Sequence, residues 1–152
     1  MRDKKFYIFI GCTILLIFLL LIGQVLSLFD YNLAVSLGLQ ESEDEIGRIG
    51  IAFAKGFAFG DTIVYLPMLV IGMVGILRKI KWAIFIMLGA LGISIYWPIV
   101  HLYAIFIERE FIVLQPDKYF TYPITLSLIV LYGIYGLWYV FCNFKQFAGN
   151  SN

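Results

Sequence analysis

Long runs of apolar residues dominate the chain, and four of them are long enough to cross a bilayer. A membrane-spanning helix needs about 20 mostly apolar residues. The segments at about 6–29, 57–77, 82–107 and 119–142 meet this requirement. No repeat or second domain is visible in the sequence. The pattern therefore predicts an all-α, polytopic membrane protein in which residues 1–152 form a single four-transmembrane-helix bundle.

The loop between the first two predicted spans carries helical signals of its own. Ser42 and Glu45 match the S-x-x-E capping box, and the acidic residues 43–45 suit a helix N-terminus. The apolar residues that follow recur at three- and four-residue spacing and give one apolar face: Ile46, Ile49, Phe53 and Phe57. We therefore predict an amphipathic outer-loop helix that lies on the membrane or runs straight into the second span.

Composition supports a membrane protein and argues against several other classes. Apolar residues make up 62% of the chain and charged residues 14%, compared with about 25% charged residues in typical soluble domains. The net charge of +1 and the lack of a basic tract give no reason to expect a nucleic-acid partner. Cys12 and Cys142 lie far apart without a C-x-x-C motif, so we expect two unpaired thiols and no thiol-redox activity.

The first apolar run is interpreted as a retained membrane span and not as a cleaved signal peptide. It follows the basic stretch MRDKK, as a signal peptide would. However, the run is longer than the roughly 7–15 apolar residues of a signal-peptide core, and no A-x-A cleavage site follows it. We therefore expect the first helix to remain in the folded protein.

Basic residues predict the orientation of the bundle. Lysine and arginine residues are concentrated in segments that share one side of the membrane: Arg2, Lys4, Lys5, Arg78, Lys79, Lys81 and Lys145. The loop at 29–56, on the other side, carries a cluster of acidic residues. Cytoplasmic segments of membrane proteins are enriched in positive charge. We therefore predict a multi-pass protein of the cell membrane with both termini in the cytoplasm.

Polar residues of all four predicted spans come together in the outer half of the bundle. Asp30 ends span one and Asp61 begins span two on the outer side. His101 lies near the outer end of span three, and Tyr122 lies near the outer start of span four. The inner half offers mostly glycine, leucine and isoleucine, with no evident polar path through it. We therefore predict an outer-leaflet polar and aromatic cavity, closed below by tight glycine packing.

We consider six residues as candidates for binding a ligand in this cavity: Asp30, Asp61, Tyr65, Trp97, His101 and Tyr122. Tyr65 lies one turn deeper than Asp61 on the same helix face. Pro67 lacks a backbone N–H, so it can free the carbonyl oxygen of Ile63. One histidine without an H-x-x-H motif or a nearby cysteine provides too few ligands for a metal, so neither a metal nor a cofactor is expected.

Each of these candidates also has an interpretation that needs no ligand, and the residues alone leave both open. The helix macrodipole stabilises a carboxylate in a first helical turn, as Asp61 is placed, and Asp30 suits a solvated helix end. A single interfacial histidine such as His101 often serves packing through one hydrogen bond. Aromatic belts place tryptophan and tyrosine at membrane interfaces whatever the function.

Small residues predict where the helices touch. Glycine lets helix backbones approach closely in a membrane, and we expect helix contacts at Gly72, Gly75, Gly89, Gly92, Gly133 and Gly136. The same glycine-rich faces are candidates for forming a homo-oligomer. Tyr132 lies near the middle of the fourth span, where its hydroxyl group needs a hydrogen-bond partner.

The segment D-T-I-V-Y-L-P at 61–67 resembles the second helix of the EXPERA-domain family of membrane proteins, which includes the sigma-2 receptor and the sterol Δ8–Δ7 isomerase. Asp61 stands where that family has glutamate, and Tyr65 replaces a glutamine. Pro67 precedes the basic, tryptophan-ended turn RKIKW, and Asp30 ends span one as F-D-Y-N. The resemblance implies a four-helix fold with a cavity for a sterol-like or other lipophilic ligand, in which carboxylates meet a cationic group. It does not by itself imply catalysis.

Three classes of function remain open at the level of sequence. The first is a protein that binds a membrane lipid or another lipophilic molecule, sterol-like or cationic and amphiphilic, with an isomerase-like activity as one version. The second is a small transporter subunit, which would have to oligomerise because one polar pocket gives no path through the bundle. The third is a non-catalytic accessory or assembly subunit, for which glycine faces and an amphipathic helix suffice. The sequence does not decide whether the protein is an enzyme.

The predicted orientation can be tested by labelling single cysteines from outside the cell. In a chain whose own cysteines have been replaced, Glu43→Cys should react with a membrane-impermeant maleimide, because residue 43 lies in the outer loop. Lys79→Cys should be protected until the membrane is permeabilised. The reverse labelling pattern would show that the topology is inverted.

Overall fold

The computed structural model describes residues 3–107, 110 and 113–147, and within these ranges the regular structure is helical. Four helices are long and apolar enough to cross a membrane: α1 (Lys4–Phe29), α3 (Glu43–Leu77), α4 (Lys81–Ile107) and α5 (Lys118–Cys142). The described residues also form two short helices, α2 (Tyr31–Ser36) and α6 (Phe144–Phe147). The prediction of four long apolar helices is confirmed. Arg2, which supports the predicted orientation, lies outside the described residues.

The two ends of the bundle are named here by the segments that they contain. We call the end with residues 30–42 and 113–118 the loop end. The opposite end, with residues 3–5, 78–81 and 143–147, is called the terminus end.

Helix α4 packs between α3 and α5, and α1 packs on both α3 and α5. The side chains at the centre are almost fully excluded from solvent: Phe9, Tyr65, Leu69, Ile84, Met87, Leu91 and Val140.

The outer-loop helix and the second predicted span form one element in the structure. The backbone N–H of Ser42 donates to Glu45 Oε2 at 2.7 Å, which confirms the capping box at the start of α3. Gly47 then adopts a left-handed φ of 66°, which kinks the helix after its first turn. A residue with a Cβ rarely takes this conformation. Beyond the kink, the helix runs straight into the membrane-length segment that ends at Leu77.

Two π-helical turns widen the long helices at one level of the bundle. One covers Leu21–Val25 in α1 and the other Asp61–Tyr65 in α3, and the two turns contact each other. Pro67 gives a physical reason for the second turn. It cannot donate a backbone hydrogen bond, and its ring would clash with the carbonyl of Ile63 in a regular α-helix. Widening the helix just before Pro67 avoids the clash and accommodates the missing hydrogen bond. The widened turn begins at Asp61, one of the candidate site residues.

Four of the six predicted glycine contacts are close helix–helix approaches. A Cβ at Gly75 would lie 1.9 Å from the Ala83 Cβ, and a Cβ at Gly72 would lie 2.9 Å from the Met87 backbone. Gly133 and Gly136 of α5 are buried against Leu91 and its neighbours on α4 in the same way. The prediction is wrong for Gly92, whose Cβ would meet nothing within 4 Å. Gly89 is exposed and faces only the flexible end of Met68.

The terminus-end half of the bundle is more polar than the sequence pattern predicts. Tyr132 does have the partner that its depth requires, because its hydroxyl lies 2.8 Å from Thr13 Oγ1. Closer to the terminus end, the Tyr139 hydroxyl donates to the Asp3 carboxylate at 3.1 Å. The inner half, predicted to offer mostly glycine, leucine and isoleucine, therefore also holds these two hydrogen-bonded polar pairs.

The glycine contacts predict a difference between two equivalent substitutions. Gly75→Ala should lower the melting temperature in detergent, because overpacking a well-packed core costs about 1–3 kcal/mol. Gly92→Ala is the matched control, and it should leave the melting temperature unchanged or slightly raised, because alanine favours the helix more than glycine does. Equal melting temperatures for the two variants would contradict the close approach of α3 to α4 at Gly75.

Candidate functional site

A buried ion pair holds the loop end together. Lys118 Nζ, at the start of α5, donates to Glu45 Oε2 at 2.8 Å, and both side chains are about 95% excluded from solvent. Lys118 Nζ also donates to the carbonyl oxygen of Gln40 at 3.0 Å. The backbone N–H of Gln115 donates to Glu45 Oε1 at 2.9 Å. A buried charge is tolerated only when it is paired and its hydrogen bonds are satisfied, and this clamp of Glu45 and Lys118 satisfies both conditions.

The clamp is connected to the π-helical turn of α1. The side-chain amide of Gln40 donates to the carbonyl oxygen of Gly23 at 3.2 Å, within the turn at Leu21–Val25. The hydroxyl of Ser27 also donates to the Gly23 carbonyl. Nearby, the Tyr31 hydroxyl donates to the Glu41 carbonyl at 3.0 Å. The loop that precedes α3 is therefore fixed between α1 and α5.

Two contacts define the register of α3 against α4. The ring centroids of Phe57 and His101 lie 5.4 Å apart. Two turns deeper, the Tyr65 hydroxyl lies 2.6 Å from Ser94 Oγ. Because the two helices are antiparallel, Asp61 lies between these contacts at the level of Trp97. The register therefore places four of the six predicted site residues at neighbouring levels along the bundle: Asp61, Tyr65, Trp97 and His101.

Asp61 lies on the inward side of α3. Ala58 and Tyr65, three residues before it and four after it, are both buried, and Asp61 itself is partly buried. No salt bridge or hydrogen bond of its carboxylate is found within residues 3–107, 110 and 113–147. Lys55 does not reach it, because Lys55 Nζ lies over the Tyr31 ring, 5.2 Å from the centroid. The carboxylate is thus left without a cation in the described part of the chain.

His101 and Trp97 form an aromatic wall on the loop-end part of α4. Their rings meet edge to face with centroids 5.3 Å apart. His101 Nδ1 lies 2.9 Å from the Trp97 carbonyl oxygen, and because a carbonyl only accepts, Nδ1 must be the donor. In the neutral ring this leaves Nε2 as an acceptor. The indole N–H of Trp97 lies near the Tyr65 hydroxyl, but it is buried without a hydrogen-bond partner in the described structure.

Tyr122 and Asp30, the other two candidates, lie outside this group. Tyr122 packs against the same small apolar cluster as Trp97, and Lys118 Nζ lies 5.8 Å from the centroid of its ring. Its hydroxyl is buried and, like the Trp97 N–H, has no partner among the described residues. Asp30 is exposed and caps α2, accepting a hydrogen bond from the Leu33 N–H at 2.9 Å. The capping role accounts for Asp30 without a ligand.

An open apolar groove lies next to this aromatic wall. It has a volume of about 520 Å³ and is lined by Ala52, Phe53, Gly56 and Phe57 of α3. Phe57 belongs both to the groove and to the contact with His101. Asp61, Tyr65 and Trp97 do not line the groove, so the predicted cavity shared by all the site residues stays a prediction. Tyr65 itself is only 1% exposed.

Three charged residues at the loop end are not predicted as part of a site by the sequence pattern. Glu45 is recognisable there as a capping residue, whereas Lys118 and Glu41 do not stand out. Burial raises the pKa of the Glu41 carboxyl above its ordinary value, and the nearby charges of Lys118 and His101 oppose this shift. Glu45 can be recognised in the sequence from its capping position. For Lys118 the sequence shows only a lysine at the start of an apolar run.

Comparisons with protein-family models, with curated proteins and with solved structures found no match for this chain. The chemistry of the site therefore has to be inferred from its own side chains. Within the described residues, no group of three or more histidine, cysteine, aspartate or glutamate side chains is arranged to hold a metal ion. The arrangement offers one unpaired carboxylate, aromatic rings and two unpartnered hydrogen-bond donors.

The clamp predicts a large effect of removing one of its partners. Lys118→Met should lower the melting temperature sharply, because breaking a buried ion pair on one side costs about 3–5 kcal/mol. The double variant Glu45→Leu, Lys118→Met should recover part of this loss, because it leaves no unpaired buried charge.

The exposed ion pair of Arg48 and Glu43 provides the matched control. These side chains are 89% and 57% exposed, so Arg48→Met should change the stability by no more than about 1 kcal/mol. Thermal unfolding of the purified variants in detergent measures both effects. Equal losses for Lys118→Met and Arg48→Met would show that the clamp does not stabilise the fold.

Proposed function

We propose that the chain is an integral membrane protein, with both termini in the cytoplasm, that binds a lipophilic molecule carrying a cationic group between α3 and α4. Asp61 is the residue that meets the cation. One observation carries the proposal: the Asp61 carboxylate lies on the inward side of a membrane-length helix and has no cationic partner among the described residues. A carboxylate in that position is costly and marks a functional site when its partner comes from outside the chain.

The surroundings of Asp61 suit a lipophilic cation. The register puts Trp97 and His101, whose rings meet edge to face, at about the level of Asp61, and aromatic rings attract cations that lie over their faces. The buried N–H of Trp97 is available to an oxygen atom of the ligand. The groove lined by Phe53 and Phe57 is open towards the surroundings of the bundle, so it supplies an apolar surface for a hydrocarbon portion. These features support binding and assign no catalytic role to any residue.

A second candidate function is that of an accessory subunit, and one feature favours it. The amphipathic part of α3 presents apolar side chains that the bundle does not cover, with Ile49 76% and Phe53 65% exposed. An exposed apolar stripe of this kind can pack on a partner helix or lie in the membrane interface. In this case Asp61 would not be needed for binding of an amphiphilic amine.

The two candidates are distinguished by a binding experiment with defined probes. Purified protein is titrated with a fluorescent long-chain tertiary amine and with its uncharged amide analogue. The parent should bind the amine more tightly than the amide. Asp61→Asn should weaken amine binding by roughly tenfold or more, because losing one partner of a buried charge pair costs about 2–5 kcal/mol. Binding of the amide should change little.

Asp44→Asn provides the control, because Asp44 is an exposed carboxylate in the first turn of the same helix. It should bind both probes as the parent does. If Asp61→Asn and Asp44→Asn bound the amine with the same affinity, the proposed site would be excluded. Saturable binding of neither probe to the parent would favour the accessory function.

A further inference from the structure

The terminus end of the bundle carries a concentration of positive charge that the chain does not neutralise. Its three segments hold six exposed basic side chains: Lys4, Lys5, Arg78, Lys79, Lys81 and Lys145. Asp3 is the one acidic residue of these segments, and its carboxylate already accepts hydrogen bonds from the Phe6 N–H and the Tyr139 hydroxyl. None of the six basic residues forms a salt bridge within the part of the chain that the structure describes. The terminus end therefore presents a cationic surface to its surroundings.

Two exposed tryptophans lie beside these cations. Trp82 directly follows Lys81, and the Lys5 ammonium lies over the Trp138 ring, with Nζ 5.2 Å from the centroid. Both indole rings are exposed on the outside of the bundle. In membrane proteins, exposed tryptophan is enriched at the level of the lipid headgroups. In a bilayer, the cations of the terminus end are therefore expected at the level of the lipid phosphates.

One of these cations occupies a backbone position that suits glycine better. Lys79 follows the last turn of α3 with a left-handed φ of 57°, and in the described part of the chain no other residue except glycine has a positive φ. The Ile80 N–H donates to the Gly75 carbonyl at 2.8 Å and closes the helix end around Lys79. Glycine is usual at this position because a Cβ is disfavoured there. A need for local positive charge does not explain the lysine, since Arg78 and Lys81 already supply it in the same turn.

Lys79 lies at a small cleft between the end of α3, the start of α1 and the short helix α6. The cleft is lined by Phe6, Ile76, Leu77, Lys79, Gln146 and Phe147. Phe6 and Phe147 are buried with ring centroids 6.2 Å apart, so they form its apolar base, whereas Lys79 and Gln146 are exposed at its rim. Its volume of about 30 Å³ is close to that of one water molecule. The cleft therefore admits an oxygen atom of a headgroup and excludes an acyl chain.

We propose that the terminus end binds anionic phospholipids of the cytoplasmic leaflet, with Lys79 as the contact for the lipid phosphate. The inference rests on the membrane insertion and orientation proposed above, but not on the binding of a lipophilic cation. Charge complementarity selects the occupant, because anionic lipids of the cytoplasmic leaflet attract basic clusters next to membrane spans. The ammonium of Lys79 and the side-chain amide of Gln146 are donors of the kind that phosphate oxygens accept.

Two simpler explanations cover part of the basic surface. Basic residues set the topology of membrane spans without binding a particular lipid, and cations are stabilised near the C-terminus of a helix. Both effects depend on charge near the end of a span, and neither requires a lysine in the left-handed conformation. A residue held in a disfavoured conformation points to a function of its side chain, and at Lys79 that side chain lies at the cleft.

Lipid binding to the purified protein in a neutral detergent tests the proposal. The probes are phosphatidylglycerol and phosphatidylcholine with the same fluorescent acyl chain, and fluorescence anisotropy measures their affinities. The parent should bind phosphatidylglycerol more tightly, because choline cancels the phosphate charge. Lys79→Gly should weaken phosphatidylglycerol binding by roughly fivefold, the factor that corresponds to one basic residue near an anionic lipid surface. Binding of phosphatidylcholine should change little.

The same variant separates a binding role from a structural one. Without added lipid, Lys79→Gly should melt at a higher temperature than the parent, because glycine takes the left-handed conformation without strain. A more stable protein that binds the anionic lipid less tightly is the expected combination. Amine binding by Lys79→Gly should equal that of the parent, so this proposal and the proposed function fail separately.

Two variants and one competitor complete the test. Lys5→Gln removes the same charge from the same end but outside the cleft, and it should weaken phosphatidylglycerol binding less than Lys79→Gly does. Arg48→Gln, at the loop end, should bind as the parent does. Inorganic phosphate should not displace the labelled phosphatidylglycerol.

Four results would each overturn the proposal. They are equal affinity of the parent for the two lipids, parent-like binding of phosphatidylglycerol by Lys79→Gly, equal losses for Lys5→Gln and Lys79→Gly, and displacement of the lipid by inorganic phosphate. The third result would show that the charge acts without a contact at Lys79. The fourth would show a site for free phosphate and not for a lipid.

Discussion

The ion pair between Glu45 and Lys118 is the interaction on which the loop end depends. It ties the first turn of α3 to the first turn of α5, and its carbonyl and amide contacts include Gln40 and Gln115. Gln40 in turn holds the widened turn of α1 through Gly23. One buried pair of charges therefore fixes three of the four long helices relative to one another.

The architecture was predictable because it depends on quantities that the sequence states directly. The length of an apolar run and the spacing of a capping box are local, so the four long helices and the start of α3 at Ser42 could be read from the residues. Tyr65, Trp97 and His101 could be placed in one half of the bundle from their positions along the predicted spans.

The rest depends on contacts between residues far apart in the chain. Glu45 and Lys118 are separated by 73 residues, and a lysine at the start of an apolar run ordinarily marks only a membrane boundary. The rotation of each helix is set by packing, so the terminus-end pairing of Tyr139 with Asp3 and the open surroundings of Gly92 were not evident. Asp30 was grouped with the site because its cap on α2 depends on a helix too short to predict.

The separation of Glu45 from Lys118 also constrains the order of assembly during synthesis. Glu45 leaves the ribosome long before Lys118 does, so α1, α3 and α4 must be made while the loop end is still without its cation. During that interval a buried Glu45 carboxylate would be unpaired, which is costly. Synthesis of α5 then supplies Lys118, so the loop end can be completed only late. A chain that stops before α5 would expose a charged and unfinished end, which quality-control proteases could recognise.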